Sequence, residues 1–381
     1  MPVPSSPTTW ERPRIKRTTE QLQAPNGDLY LRRPSEASDI RIKDPGEEMR
    51  QLLAALDGTR TRAELDEKFG AEQVGDLIAQ LGELELGEDA SDDELIAPEI
   101  RARFDRQLRY FSDVAIAQTP SQCQGKLENA RIAVLGLGGL GGWSALTLAC
   151  CGIGEMLLVD FDRVEISNLN RQILYEEADI GRSKAKVAAK RLRGFNSSIR
   201  IEIREERLDS ETAVASAIDG YDFVIDAVDW PAHDIELWVN SACFAAGIPY
   251  IAMSHYPPIA RVGPLYVPGQ TGCYSCQEIA YKRSYPLYDV AVEQQRAKPS
   301  PAATLGAACA LISGQVGLDV MHLLTGLAQP STLGVSHIYD LRTMEVRHEK
   351  IVPEPGCPIC GGESAEVDSL PAATYEVPVS D

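Results

Sequence analysis

A glycine-rich segment and a later aspartate have the residue types and spacing of a nucleotide site. The segment GLGGLG (136–141) follows the strand-like run RIAVLG and precedes a helical pattern. Glycines at such a junction permit a tight turn and let backbone N–H groups approach phosphates; here they are Gly136, Gly138, Gly139 and Gly141. Asp160 ends the next strand-like run, where an acid bonds ribose hydroxyls. The spacing predicts a bound nucleotide, and the alternative is a glycine-rich packing turn.

The polar residues that follow favour ATP chemistry over hydride transfer. Residues 160–185 contain Asp162, Asn168, Arg171, Gln172 and Lys184. Fixed cations stabilise the charge that moves onto departing pyrophosphate when a carboxylate attacks ATP. The carboxylate is already ionised near neutral pH, so this step needs no general base.

A metal-binding acid follows a third strand-like run. Phosphoryl transfer uses a metal ion held by an acidic side chain. Asp229 lies at the carboxyl end of DFVIDAVD, where such an acid would stand. Any one of these charges alone is more often a surface group. Their order along the chain predicts adenylation with ATP and Mg²⁺.

Four cysteines are spaced as two thiolate hooks. Cys273 and Cys276 form one CxxC, and Cys357 and Cys360 form another about 80 residues later. Two such hooks complete a tetrahedron around Zn²⁺, and four sulfurs leave no open position. The pattern predicts a structural zinc; two disulfides or unrelated thiols are the alternatives.

Composition narrows the class of protein. The 381 residues carry a net charge of −19, which argues against binding a nucleic-acid polymer or an anionic membrane. The N-terminus lacks an apolar signal segment, so we expect a cytoplasmic protein with reduced thiols. The uncharged stretch 132–154 is long enough to span a membrane, but it divides into strand, glycine turn and helix.

The chain is predicted to divide near residue 95. Residues 1–27, rich in Pro, Ser, Thr and charge, suggest a flexible arm. Residues 28–95 combine two strand-like runs with three amphipathic stretches, as in a winged-helix-like α+β domain. Thr61 and Glu64 form a capping-box pattern at the second stretch. The acidic residues 87–94 resemble a linker.

Residues 96–364 alternate strand-like and helical runs. This pattern predicts an α/β fold with a Rossmann-like, mostly parallel sheet covered on both faces. After residue 260 the runs favour an antiparallel edge, and residues 365–381 are predicted to be a disordered tail.

Taken together, residues 101–362 resemble the ThiF/MoeB family of ubiquitin-activating-type adenylating enzymes. The shared motifs are RFDRQ (103–107), GLGGLG, D-F-D with N-x-x-R-Q, the lysine after G-R-S, the acid of AVD and the double CxxC. The resemblance implies that Asp160 holds ribose, that Asp229 binds magnesium, and that Asn168, Arg171, Gln172 and Lys184 surround the phosphates. It also implies a homodimer in which Arg106 reaches the partner's site.

The segment DGTRTRAEL (57–65) resembles PqqD-like domains, which bind leader peptides as an added strand. This resemblance implies a ribosomal precursor peptide as substrate, as in peptide-antibiotic enzymes of the microcin-maturation type. A small packing or dimerisation domain is the alternative.

Three rival functions remain open. One is activation of the C-terminal glycine of a sulfur-carrier or ubiquitin-like protein. The second is non-catalytic presentation of a leader peptide. The third is NAD-dependent oxidation, for which no hydride-handling site is found.

The remaining thiol, imidazole and indole groups give weaker signals. Some relatives carry a catalytic cysteine, typically in the loop after the first CxxC, and residues 277–306 contain none. Cys309 lies in an apolar helical pattern typical of a core thiol, and a catalytic role is the alternative. His255 follows a strand and could face the substrate, although a hydrogen-bonded loop histidine is the simpler interpretation. Trp230 departs from the family, which often places Asn beside the metal-binding acid.

Overall fold

The computed structural model describes residues 10–33, 39–115, 118–298 and 303–361. Its N-terminal unit is α+β. The strands are β1 (Pro13–Ile15), β2 (Glu20–Gln23), β3 (Leu29–Arg32), β4 (Asp39–Ile42) and β5 (Gly87–Asp89). The helices are α1 (Glu47–Ala55), α2 (Arg62–Phe69) and α3 (Ala71–Glu83). Strands β2, β3 and β4 form an antiparallel sheet, and β1 pairs antiparallel with β5.

Local sequence explains where these helices begin and which face they bury. The Thr61 side chain accepts the Glu64 backbone N–H, and the Glu64 carboxylate accepts the Thr61 N–H, as the capping box predicted. Helix α3 buries the apolar side chains of Val74, Leu77, Ile78 and Leu81. The helices therefore close one core over the small sheet.

The predicted arm and linker are both wrong in the described residues. Strand β1 pairs with β5, which lies in the acidic stretch predicted as a linker. The buried Arg14 guanidinium lies 2.6 Å from Glu88 and 2.7 Å from Asp93. Composition suggested two mobile segments because each was judged alone, whereas their opposite charges neutralise each other. Residues 1–9 of the predicted arm and the tail 365–381 lie outside the described residues.

The rest of the chain is a larger α/β unit. Its helices are α4 (Pro98–Arg103), α5 (Asp105–Val114), α6 (Pro120–Asn129), α7 (Gly139–Cys150), α8 (Lys184–Phe195), α9 (Glu211–Ile218), α10 (Asp234–Ala246), α11 (Tyr274–Ser284), α12 (Tyr288–Ala297) and α13 (Gly306–Thr325). Its strands are β6 (Arg131–Leu135), β7 (Glu155–Val159), β8 (Arg200–Arg204), β9 (Phe223–Asp226), β10 (Tyr250–Tyr256), β11 (Ile259–Tyr266), β12 (Val335–Asp340) and β13 (Glu345–Lys350).

These eight strands form one sheet in the order β13-β12-β11-β10-β9-β6-β7-β8. The five strands from β10 to β8 are parallel, and β11 to β13 add an antiparallel edge. The α/β class, the parallel sheet and the antiparallel edge are thus confirmed. From β6 the chain moves outward to β7 and β8, then returns to place β9 on the other side of β6. That reversal opens a crevice at the carboxyl ends of β6 and β9, where open α/β sheets bind ligands.

Both faces of the sheet are covered. One apolar core contains residues of α6, α7, α8 and α13, and the other contains residues of α9 and α10 together with Cys273, Cys276 and Cys357. Helix α13 is long and apolar enough to cross a membrane, but half of that window is buried within the fold, against α7 and β11. The stretch 132–154 forms β6, the glycine turn and α7.

Candidate functional site

A cavity of about 370 Å³ lies in the crevice between β6 and β9. Almost all the residues predicted to bind ATP line it: Gly136, Gly138, Gly139, Asp160, Asp162, Asn168, Arg171, Gln172, Lys184 and Asp229. Gly141 and Arg106 do not. One cavity therefore collects side chains that follow three neighbouring parallel strands.

The glycine turn is shaped by close backbone contacts. Gly136 has φ of 85°, and a Cβ there would lie 2.5 Å from the Ala227 carbonyl oxygen. A Cβ on Gly141 would lie 1.9 Å from the Gly136 carbonyl oxygen. Gly141 therefore serves packing of α7 against the turn, whereas Gly138 and Gly139 present the first backbone N–H groups of α7 to the cavity.

Asp160 stabilises the same turn through hydrogen bonds. Its buried carboxylate accepts the Leu137 N–H at 2.8 Å and the Asp162 N–H at 2.8 Å. Burial raises the pKa of the Asp160 carboxyl, and the charge of Lys184 opposes that rise. The carboxylate thus fixes the loop geometry at the position where the sequence places a ribose partner.

Two cations, Lys184 and Arg171, also line the cavity. The buried Lys184 ammonium lies 2.9 Å from the Asp162 carboxylate. Arg171 Nη1 donates to the Ser167 carbonyl at 2.7 Å, and the Trp143 indole N–H donates to the Arg171 carbonyl at 3.1 Å. Both cations are therefore held before a ligand arrives, as electrostatic preorganisation requires.

The two predicted amides differ in their hydrogen bonding. The buried Asn168 accepts the Glu165 N–H at 2.9 Å, so its carbonyl closes a local turn. Gln172 is also buried, and its Oε1 has no hydrogen-bond partner among the described residues. An unsatisfied buried amide oxygen in a cavity wall fits a ligand donor.

Carboxylates gather where β9 ends. Asp229 is exposed to the cavity, as expected for a side chain that binds a cation. Glu236, which sequence reasoning missed, also lines the cavity, and burial raises its pKa. Behind them, burial raises the pKa of the Asp226 carboxyl well above its usual range. Oxygen ligands of this kind suit Mg²⁺.

An aromatic wall next to Asp160 combines Trp230, noted above only as a departure from the family, with Phe161, which was missed. The Phe161 and Trp230 rings meet edge to face with centroids 6.2 Å apart. The Arg207 guanidinium lies 4.3 Å from the Phe161 centroid and 4.8 Å from the Trp230 centroid. Their positions in the sequence could have predicted that both rings line the cavity. Phe161 directly follows Asp160, and Trp230 directly follows Asp229.

The far wall is built from β10 and the start of α13. Met253, Ser254, His255, Tyr256, Thr304 and Cys309 line it. The segment 277–306, predicted as a loop, forms most of α11 and all of α12 in its described residues. Cys309 is 1% exposed, in agreement with a core thiol, although it borders the cavity.

The two CxxC hooks meet in the core that also contains residues of α9 and α10. The Sγ atoms of Cys273 and Cys357 are 3.5 Å apart, and those of Cys276 and Cys360 are 3.3 Å apart. All four Sγ atoms lie within 4.8 Å of one another. Tetrahedral Zn–S bonds place sulfur atoms about 3.8 Å apart, which is close to these separations. The Glu354 N–H donates to Cys276 Sγ at 3.2 Å, a contact suited to a thiolate. The cluster therefore fits zinc.

Arg106 stands apart from the cavity. It is exposed on α5 and does not line the cavity of its own chain. Its predicted action on a partner subunit stays a prediction.

The sequence model of the ThiF family matches residues 104–359. The sulfur carrier protein ThiS adenylyltransferase of Escherichia coli is 31% identical over 259 residues, which cover 68% of this chain and 97% of that protein. The molybdopterin-synthase adenylyltransferase of Salmonella typhimurium is 30% identical over 254 residues, covering 67% and 96%.

Two solved structures resemble the chain over a longer span. A crystal structure of E. coli MccB with MccA-N7isoASN has a TM-score of 0.71 at 23% identity and covers 92% of this chain and 99% of that one. A crystal structure of PaaA has a TM-score of 0.68 at 27% identity and covers 88% and 99%. The first likeness is one of fold. Because the family model covers most of the α/β unit, including the motifs that form the cavity, this chain belongs to the ThiF family and is an ATP-dependent adenylyltransferase.

Proposed function

We propose that the enzyme adenylates a carboxyl group on a peptide, of the precursor class that is modified after synthesis. The observation that carries this proposal is the folded N-terminal unit attached to the ATP site. The curated relatives cover about two thirds of the chain, whereas the MccB and PaaA structures cover 92% and 88% of it. The MccB structure is described as a complex with MccA-N7isoASN.

The N-terminal unit offers an edge for a peptide. Strand β2 pairs with β3 on one side, and in the described residues no strand pairs with its other side. All four of its residues are exposed. An open edge of this kind can accept an extended peptide as an added strand.

Each of these cavity residues would have a separate role in the adenylation reaction. The α7 N-terminus and Lys184 would hold the phosphates of ATP, and Asp160 would face the ribose. The substrate carboxylate attacks the α-phosphorus, an acyl–phosphate bond forms, and pyrophosphate leaves. Arg171 stabilises the leaving charge.

Asp229, with Glu236 beside it, would hold Mg²⁺, which neutralises phosphate charge when it is bound. We further propose a homodimer in which Arg106 of one chain reaches the cavity of the other. The cysteine cluster would hold a structural zinc.

A second substrate class is a small carrier protein that ends in glycine. The observation that favours it is the relative at 31% identity, which is named as an adenylyltransferase of the sulfur carrier ThiS.

ATP–pyrophosphate exchange separates these substrate classes. The full chain is assayed with synthetic precursor-like peptides and with Gly-Gly-ending carrier proteins. We expect exchange that depends on a peptide. Exchange only with a carrier protein would replace the peptide proposal, and no exchange with either class would refute both acceptor assignments.

A further inference from the structure

Three side chains form a hydrogen-bonded chain in the far wall of the cavity. His255 Nδ1 lies 2.8 Å from Thr304 Oγ1, and Thr304 Oγ1 lies 3.5 Å from Cys309 Sγ. They come from β10, the segment before α13, and α13 itself. A Cβ on Gly139 would lie 2.7 Å from Cys309 Sγ, so the chain reaches the glycine turn. These contacts connect the far wall to the phosphate side of the site.

One nitrogen at the end of this chain has no partner. His255 is 5% exposed, and its Nε2 makes no hydrogen bond with any described residue. Buried polar atoms are nearly always paired, and the exceptions in a cavity wall are places for a ligand atom. The imidazole therefore has one nitrogen held by Thr304 and one buried nitrogen without a partner among the described residues.

The partners of Nδ1 decide which nitrogen carries the proton. If Nδ1–H donates to Thr304, the threonine hydroxyl donates to Cys309 Sγ, and Nε2 keeps a lone pair. The reverse order would need the weak thiol donor and would leave an N–H on Nε2 without an acceptor. Buried N–H groups without acceptors are rarer than under-used acceptors. The geometry therefore favours an unprotonated Nε2.

We propose that His255 Nε2 is the base that takes the proton from a nitrogen nucleophile attacking the acyl adenylate. This inference rests on the proposed adenylation of a peptide. The carboxylate that attacks ATP needs no base, but an amine or carboxamide must lose a proton as it attacks. The C–N bond forms, the C–O bond to AMP breaks, AMP leaves with the bonding electrons, and the proton goes to Nε2.

The thiol in the chain is a poor alternative nucleophile. Cys309 is buried, and burial raises the pKa of its thiol, which lowers the fraction of reactive thiolate. Thr304 and Cys309 are accordingly positioning residues that hold the imidazole. Burial lowers the pKa of His255, which keeps the ring neutral and able to accept a proton.

The test separates the two half-reactions in the full chain. With a peptide that supports pyrophosphate exchange, His255→Asn should keep exchange within about threefold of the original rate and slow product formation about 10²-fold or more. Hydroxylamine, which traps acyl adenylates without a base, should still yield the peptide hydroxamate. Imidazole should partly restore product formation to His255→Ala.

His322→Asn is the matched control, because His322 also has a buried Nε2 without a partner but does not line the cavity. It should leave both half-reactions unchanged. Loss of exchange and product together in His255→Asn, or product formation at the original rate, would overturn the assignment.

A second measurement needs no peptide and so stands apart from the proposed function. ¹⁵N NMR of the histidines at pH 7.5 should show His255 protonated at Nδ1 and unprotonated at Nε2, assigned through His255→Asn. The opposite tautomer would refute the proposed base, whether or not any peptide is adenylated.

Discussion

At the scale of single residues, two carboxylates of the cavity are brought together because each follows the carboxyl end of a parallel strand. Asp160 follows β7 and Asp229 follows β9, and both side chains reach one cavity because the two strands are parallel. The two carboxylates have different environments, which suit them to different roles. Asp160 is buried and accepts two backbone N–H groups, whereas Asp229 is exposed.

Asp229→Asn should lower peptide-dependent pyrophosphate exchange by about 10²-fold or more, because the amide cannot balance the charge of a metal ion. Isothermal titration with Mn²⁺ and ATP should show weaker metal-dependent binding. Circular dichroism should be unchanged, since the exposed side chain supports no core contact. An unaltered exchange rate would disprove the metal assignment.

Some cavity residues were predictable from the sequence and others were not. Gly136, Asp160 and Lys184 belong to motifs with fixed spacing. Glu236 and Thr304 have no such spacing, because they reach the cavity only through the packing of α10 and of the segment before α13. The amino-acid sequence alone does not show how distant elements pack against one another, so these two residues could not be predicted.

At the scale of elements, the positions of β6, β7 and β9 were predictable because each is a short apolar run bounded by turn residues. Strands β1 and β5 were missed because each is only three residues long and contains charged residues, so neither forms an apolar run. Their pairing depends on Arg14 and its acidic partners, which lie more than 70 residues away in the chain. Local patterns do not encode contacts of that range.

The exposed edge of β2 makes a prediction about peptide binding. Leu22 in β2 is 43% exposed, and Leu84 after α3 is 45% exposed. Leu22→Asp should weaken peptide binding about fivefold or more, as loss of an interface contact does, while ATP binding is unchanged. Leu84→Asp is the matched control and should bind normally. Fluorescence anisotropy of a labelled peptide measures both variants, and equal affinities would exclude this edge.

The cysteine cluster ties the segment after β13 to α11. Cys360→Ser should reduce the zinc content and the free energy of unfolding, by about 3 kcal/mol or more for a structural site. Cys150→Ser, at an exposed thiol outside the cluster, is the control. Metal analysis and thermal unfolding report the two effects. Full zinc content in Cys360→Ser would contradict the four-sulfur site.

At the scale of the whole molecule, the proposed dimer can be tested by complementation. Arg106→Ala and Asp229→Asn should each be inactive alone. Mixed dimers would contain one site with an intact Asp229 and an intact Arg106 from the other chain. After exchange of subunits, an equal mixture should regain about a quarter of the original activity, as random pairing gives. No recovery, despite mixed dimers seen by native mass spectrometry, would place Arg106 outside the partner's site.

Transfer of ¹⁸O from a labelled carboxyl group tests the central claim most directly. A peptide that supports exchange is synthesised with ¹⁸O in its carboxyl groups and incubated with the enzyme and ATP until product forms. Attack of the carboxylate on the α-phosphorus predicts one ¹⁸O atom in each AMP released. Unlabelled AMP, or ADP with labelled phosphate, would show that the carboxyl group is not adenylated.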